Sequence, residues 1–174
     1  VCNTKLFDDV IVVTDSDIIF KEITTHGGKA LMSKQRHESG TDRIAEAATQ
    51  LDTDIIVNVQ GDTPFAKKEP LNNLLNVFVG KEGENVQVAS LMQPLLDPQF
   101  IVDPNYVKVA VDRKFNALFF SRSVIPYPRN KDINIPYYEH IGVYAFHKQA
   151  LLQFTQWPVT PLENAEKIEC LRYL

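Results

Sequence analysis

The stretch Asp54-Ile55-Ile56-Val57-Asn58-Val59-Gln60-Gly61-Asp62 constrains this chain more than any other. Ile55, Ile56, Val57 and Val59 make a β-branched run too continuous for a strand with one wet face. The pattern predicts a central parallel strand buried on both faces. The run stops at Gln60-Gly61-Asp62-Thr63-Pro64. Gly61 permits a sharp turn or a close approach to a ligand, and Pro64 forbids the strand from continuing. Asp62 is thereby left at the carboxyl end of a strand, where ligands bind in open α/β sheets. Gly-Asp-x-Pro is also an ordinary turn in which the aspartate bonds its own backbone. On the motif alone, both readings stand.

The segments before it extend the same architecture. Residues 10–14 form a second apolar run, Asp15-Ser16-Asp17 can cap a helix through Ile18, Ile19 and Ile23, and Gly27-Gly28 stops that helix. Residues 29–33 then read as a short strand, giving a βαβ unit with a right-handed crossover. The polar stretch from Lys34 to Arg43 opens a further helix, with Thr41 as its expected cap and Ile44, Ala45, Ala48 and Leu51 as its buried stripe. Ser39, Gly40 and Thr41 put backbone N–H groups and small side chains at that helix's N-terminus, which favours anions. Arg43 can add a bidentate cationic clamp, or can simply lie in solvent. His37 reads as a surface loop histidine.

Beyond Asp62, residues 67–79 have the spacing of an amphipathic helix with Leu71, Leu74, Leu75 and Phe78 inward, ended by residues 80–83. Residues 86–91 read as a strand, and Asp97-Pro98 and Asp103-Pro104 bracket an expected loop. Residues 106–111 and 117–121 read as a hairpin about the turn at 112–116. The loop at 125–136 carries three prolines among aromatics and cations, long enough to act in function or to pack on another subunit. A strand at 141–146, a short helix at 149–154 and a last helix from Leu162 onward follow, the last with Glu163, Glu166 and Glu169 on one broad face.

Composition narrows the function classes. A net charge of −4 with no basic cluster argues against a nucleic-acid partner. No apolar run approaches a membrane span. Cys2 and Cys170 lie far apart without metal-ligand spacing, as in a cytoplasmic protein. The chain starts at Val1 and stops inside an apparent helix, so it is expected to be a single domain, residues 1–174, incomplete at both ends.

Set side by side, several blocks carry a resemblance. Val57-Asn58-Val59-Gln60-Gly61-Asp62 with Ser39-Gly40-Thr41-Asp42-Arg43 resembles the CMP-Kdo synthetases, the 3-deoxy-manno-octulosonate (Kdo) cytidylyltransferases. Val107-Lys108-Val109, the block Ala117 to Pro126, His140-Ile141-Gly142-Val143-Tyr144, and Pro161-Leu162-Glu163 with Glu169, Leu171 and Arg172 agree in the same order. The resemblance implies an α/β fold with a mixed, mainly parallel sheet and helices on both faces, like the nucleotide-diphospho-sugar transferases. It implies a magnesium-dependent transfer from CTP to Kdo for lipopolysaccharide biosynthesis, in a homodimer formed through the proline-rich loop. Asp62 would bind Mg2+ and, with Arg43, serve catalysis. Ser39, Gly40 and Arg43 would contact the nucleotide, and Gln60, His140, Tyr144 and Glu169 the sugar acid.

From the residues alone, His140 and Tyr144 also read as a partly buried strand-edge pair, Glu169 as part of a solvated helix face, and Arg122 as either an anion contact or a structural partner. Cys170 stands where the family usually has Gln, and Thr63 where it commonly has Glu. The family's first strand with its basic loop and its terminal segment with a second metal-binding Asp have no counterpart here. Another CMP-sugar acid synthetase, a metal-dependent glycosyltransferase, or a binding or dimerisation fragment are the alternative readings.

Overall fold

The computed structural model describes residues 1–37, 39–61, 63 and 66–174. In chain order the elements are β1 (Ile11–Thr14), α1 (Asp17–Thr25), β2 (Lys29–Met32), α2 (Gly40–Ala48), β3 (Ile55–Val59), α3 (Lys68–Asn76) and α4 (Gly80–Gly83). They continue as β4 (Val88–Pro94), α5 (Pro98–Val102), β5 (Lys108–Val111), β6 (Ala117–Ser121), β7 (Tyr138–His147), α6 (Lys148–Phe154) and α7 (Pro161–Glu166). Short 3₁₀ turns lie at Cys2–Thr4 and Glu169–Tyr173. The chain clusters into two compact units, residues 1–89 with 143–156 and residues 90–142 with 157–174. Among the described residues no helix is long and apolar enough to cross a membrane.

In the first unit, β1, α1 and β2 make the expected βαβ unit, with β1 and β2 parallel and Ile11 opposite Lys29. Ser16 caps α1, and Gly27 at a φ of 74° leaves it through the left-handed region that glycine enters without strain. Ile18 and Ile19 of α1 are exposed. The cap of α2 is Ser39 rather than Thr41. Ser39 is extended at φ −126° and its hydroxyl accepts from the Asp42 N–H at 3.1 Å, whereas Thr41 is already helical and buried within the first turn. A cap needs an extended backbone two or three residues before the donor it satisfies, and Ser39 meets that geometry.

Strand β3 departs most from expectation. It runs antiparallel to the 143–147 half of β7, with Ile55 opposite His147 and Val59 opposite Val143. It is not flanked by strands on both sides among the described residues, and only Asn58 along it is fully buried. A continuous apolar run specifies burial, not the direction of a partner far away in sequence. Within residues 67–79 the helix is α3 alone, ending at Asn76; the chain is extended at Val79, and residues 80–83, expected only to end that helix, form the separate short helix α4. The core of this unit gathers Ala45, Ala47, Ala48, Leu71, Leu74, Val143, Ala145, Phe146, Leu151 and Phe154. A side chain of the size of Phe146 or Phe154 contributes roughly 2–3 kcal/mol when fully buried.

In the second unit, β5 and β6 pair antiparallel as the expected hairpin, Lys108 opposite Ser121. The Asp112 carboxylate closes the turn by accepting from the Lys114 and Asn116 N–H groups, each at 2.8 Å. β5 also meets the start of β7, Lys108 opposite Glu139. Residues 98–102, expected as a loop, are helix α5: Asp97 caps it and Pro98 sits in its first turn, where its missing N–H costs nothing. The strand expected at 86–91 is shifted to 88–94. The last helix is broken. It stops at Glu166, Lys167 turns left-handed at φ 54°, and a 3₁₀ turn follows.

The mixed α/β class stands, with β1 and β2 parallel, β3 antiparallel to β7, and β5 antiparallel to β6 and β7; β4 also pairs with β7.

Candidate functional site

Asp62 lies outside the described residues. Ser39, Gly40, Arg43, Gln60 and Tyr144 belong to the first unit; Arg122, His140 and Glu169 belong to the second.

In the first unit the start of α2 meets the end of β3. A Cβ built on Gly40 would come within 3.1 Å of both terminal atoms of the Gln60 amide, so the side chain of Gln60 lies against the first turn of α2. Glycine at 40 makes that approach possible. The Gln60 side-chain amide in turn donates to Asn58 Oδ1 at 3.4 Å. Asn58 is 1% exposed and stands opposite Tyr144 in the ladder, whose ring stacks on Phe146 at a centroid distance of 5.8 Å. The amide nitrogen of Asn58 is buried without a hydrogen-bond partner among the described residues, and so is the Nε of Arg43. Buried donors are rarely left unmatched. Two of them, one on Gln60's partner Asn58 and one three residues after Gly40 on α2, suit a ligand rich in acceptors.

The segment leading into this corner is anchored. Glu46, three residues beyond Arg43 on α2, accepts from the Ser33 hydroxyl at 2.9 Å, the Lys34 N–H at 2.7 Å and the His37 ring at 2.5 Å. These bonds, that of His37 foremost, hold the Glu46 carboxyl down at about 2. His37 is therefore not the free surface histidine its loop position implies; its side chain is 9% exposed. Nothing in the sequence marked this pair. Nor did it mark Asp15, whose carboxylate lies 3.3 Å from Arg43 Nη2, although its place right after β1 is the same strand-end position that drew attention to Asp62.

In the second unit His140 is packed edge-on against Phe120 at 4.9 Å. Its Nδ1 lies 3.4 Å from the Ser90 hydroxyl and its Nε2 3.9 Å from the Cys170 sulfur. Burial pushes its pKa down to about 4, so at neutral pH it offers an uncharged imidazole, one nitrogen donating and one accepting. Cys170 beside it is 2% exposed. Glu169 precedes Cys170 on the terminal 3₁₀ turn rather than on a solvated helix face, and it is half-buried. Its two companions on the expected face are also engaged. Glu163 is buried against Arg172, and Glu166 accepts from the Ser121 hydroxyl at 2.6 Å and the Arg122 N–H at 2.9 Å.

Arg122 takes the structural alternative. Its guanidinium donates to the carbonyls of Glu166 at 2.7 Å, Pro104 at 2.9 Å and Lys167 at 3.5 Å. Lys108, fully buried, does similar service by donating to the Asp103 carbonyl at 2.8 Å, and burial lowers its pKa.

Among the described residues no group of three or more His, Cys, Asp or Glu side chains could hold a metal ion.

The sequence and the fold have counterparts among known proteins. A protein of Flavobacterium johnsoniae named 3-deoxy-manno-octulosonate cytidylyltransferase is 58% identical over 172 residues, 99% of this chain and 70% of its own length. One of the same name from Christiangramia forsetii is 53% identical over 172 residues, 99% of this chain and 69% of its own. A solved CMP:2-keto-3-deoxy-manno-octonic acid synthetase complexed with CTP superposes with a TM-score of 0.88 at 36% identity. That likeness covers 94% of this chain and 66% of the solved one, so the present chain spans about two thirds of these relatives. A 4-diphosphocytidyl-2C-methyl-D-erythritol synthase from Anaerococcus prevotii, at 18% identity and a TM-score of 0.53, shares the fold. The family model described as Cytidylyltransferase matches residues 1–174. By that match and by these identities, the chain belongs to the cytidylyltransferase family of nucleotidyltransferases.

Proposed function

We propose that the protein activates 3-deoxy-manno-octulosonate with CTP, giving CMP-Kdo and pyrophosphate for lipopolysaccharide biosynthesis. The anomeric hydroxyl oxygen attacks the α-phosphorus. The bond from that phosphorus to the bridging oxygen breaks, pyrophosphate leaves, and the hydroxyl proton is released. Two anions must be brought together, so catalysis is largely positioning and charge neutralisation.

The observation that carries the reading is the Gly40–Gln60 contact together with the unmatched donors of Asn58, bonded to Gln60, and of Arg43, on the same helix as Gly40. It supports Ser39, Gly40 and Arg43 as nucleotide contacts and Gln60 and Tyr144 as acceptor-side groups. His140 and Glu169 are the remaining sugar-acid contacts, an uncharged imidazole and a carboxylate suited to hydroxyls. Magnesium, with Asp62 as its protein ligand, is part of the proposal. Mg2+ is commonly held by one or two carboxylates and completed by water and phosphate oxygens, and Asp62 would supply one such carboxylate. When bound, it would neutralise phosphate charge.

The groove of about 560 Å³ lined by Leu95, Leu96, Ile101, Ile133, Ile135 and Tyr137, with Tyr127 exposed nearby in sequence, supports the homodimer. The free thiols of Cys2 and Cys170 are in keeping with the cytoplasm.

The test is pyrophosphate release by the full-length protein with CTP, magnesium and sugar acids of eight and nine carbons. Turnover with the eight-carbon acid is expected; turnover with the nine-carbon acid alone would refute the acceptor assignment.

A further inference from the structure

We infer that Asp15 is a positioning residue for Arg43, holding one amino nitrogen of the guanidinium so that its buried Nε edge faces the nucleotide. The inference rests on reading Arg43 as a nucleotide contact.

Arg43 stands in the first turn of α2, its side chain 28% exposed, and Asp15 is its one ion-pair partner among the described residues. The contact is single-pronged, Nη2 to Oδ2 at 3.3 Å, and leaves Nε buried with no acceptor among those residues. A guanidinium is a rigid plane of five N–H donors. Pinning one amino corner therefore sets the direction in which the remaining edge donates.

Asp15 is itself well placed to act as the pin. It follows Thr14, which ends β1 and is 4% exposed. The Thr14 carbonyl accepts from the Ser33 N–H at 2.8 Å, and its hydroxyl accepts from the Ser16 N–H at 3.1 Å. Ser16 then caps α1. The backbone on either side of Asp15 is thus fixed, while its carboxylate, 45% exposed, reaches Arg43 at the carboxyl end of a parallel strand. An ion pair this open to water adds little to folding stability, so a purely structural role predicts almost no effect of removing it.

The test uses the full-length protein and follows CTP binding by calorimetry, steady-state kcat and KM for both substrates, and the melting midpoint. The variants are Asp15→Asn, Asp15→Glu, Arg43→Ala and the double variant Asp15→Asn/Arg43→Ala. Asp15→Asn should weaken CTP binding by roughly tenfold, as expected for a misaimed charge-assisted contact. Its sugar-acid KM and melting midpoint should not move, and Asp15→Glu should recover part of the loss. Arg43→Ala should lose more, and the double variant no more than Arg43→Ala, because the aspartate acts through the arginine.

An Asp15→Asn loss that persists in full on the Arg43→Ala background would overturn the inference. So would a CTP loss matched by a lower melting midpoint that glutamate does not recover. Intact CTP binding in Asp15→Asn beside a clear loss in Arg43→Ala would reject the positioning role and leave the nucleotide reading standing. Intact binding in Arg43→Ala would remove that reading and the inference with it.

Discussion

Glu163 and Arg172 close a two-pronged ion pair across the break between α7 and the terminal 3₁₀ turn. Arg172 Nε donates to Glu163 Oε2 at 2.8 Å and its Nη2 to Oε1. Both side chains are more than nine-tenths buried. Glu163 also completes the capping box of α7 with Thr160. One carboxylate thus caps a helix and ties down the turn that carries Glu169 and Cys170.

Removing one partner leaves a buried charge behind. Arg172→Ala should cost about 3–5 kcal/mol, read from urea unfolding. Arg172→Lys should fall between, since an ammonium cannot span both oxygens as the planar fork does. A Arg172→Ala variant as stable as the parent would show that the pair does not hold this turn.

His140 sets a pH dependence. Its pKa in the fold is about 4 against 6.5 for a free imidazole, lowered by burial, so the unfolded chain binds the proton more tightly. The stabilisation from keeping it neutral is therefore complete above pH 6.5 and lost as pH falls from 6.5 towards 4. Across that window it amounts to something on the order of 3 kcal/mol. Urea midpoints of the parent and His140→Asn measured from pH 7.5 to 4 should diverge in slope. Parallel curves would rule out a buried neutral histidine at this position.

Glu46 anchors the approach to the nucleotide corner through Ser33, Lys34 and His37. Glu46→Ala frees that segment, and CTP binding should weaken by about tenfold through lost positioning. Its carboxyl is held at about 2, below the ordinary 4.5, so the anchor is present above pH 4.5 and given up as pH falls towards 2. Amide exchange at Lys34 should accelerate in Glu46→Ala and stay slow in the parent at pH 5. Unchanged exchange in the variant would contradict the anchor.

Asp62 carries the metal proposal. In the full-length protein Asp62→Asn should fold normally and lose turnover by roughly a hundredfold or more, with a raised magnesium requirement. Parent-like turnover at limiting magnesium would discard the metal role.

Cys170 offers a test of acceptor choice, since its sulfur lies 3.9 Å from His140 Nε2. Cys170→Gln should change the KM for the sugar acid several-fold and leave the KM for CTP alone, one polar contact being worth roughly 1 kcal/mol. A change in the CTP KM instead would separate this position from the acceptor.

Much of the fold could be read from local patterns. The βαβ unit, the hairpin about Asp112 and the turn of α2 behind Ser39 and Gly40 follow from periodicities and caps that act over four or five residues, and such signals survive into the structure. The Gly40–Gln60 meeting was half legible: both residues were singled out, but their contact depends on how α2 packs on β3. Ranges as short as α5 escaped because Pro98 marks a loop and a first helical turn alike.

What lay beyond the local signals were the partners chosen across long stretches of chain. The direction of β3 was set by residues 143–147, and an apolar run buries equally well beside either orientation. The glutamates of the last segment looked like one solvated face because the left-handed turn at Lys167 leaves no trace in the spacing. Once the helix breaks there, Glu163 turns to Arg172 and Glu166 to Ser121 and Arg122. The pairings of Asp15 and Glu46 are hidden for the same reason: a carboxylate on a surface element is silent until packing brings a specific cation or N–H within reach. Period and capping are properties of neighbours along the chain, whereas charge pairing is a property of neighbours in space.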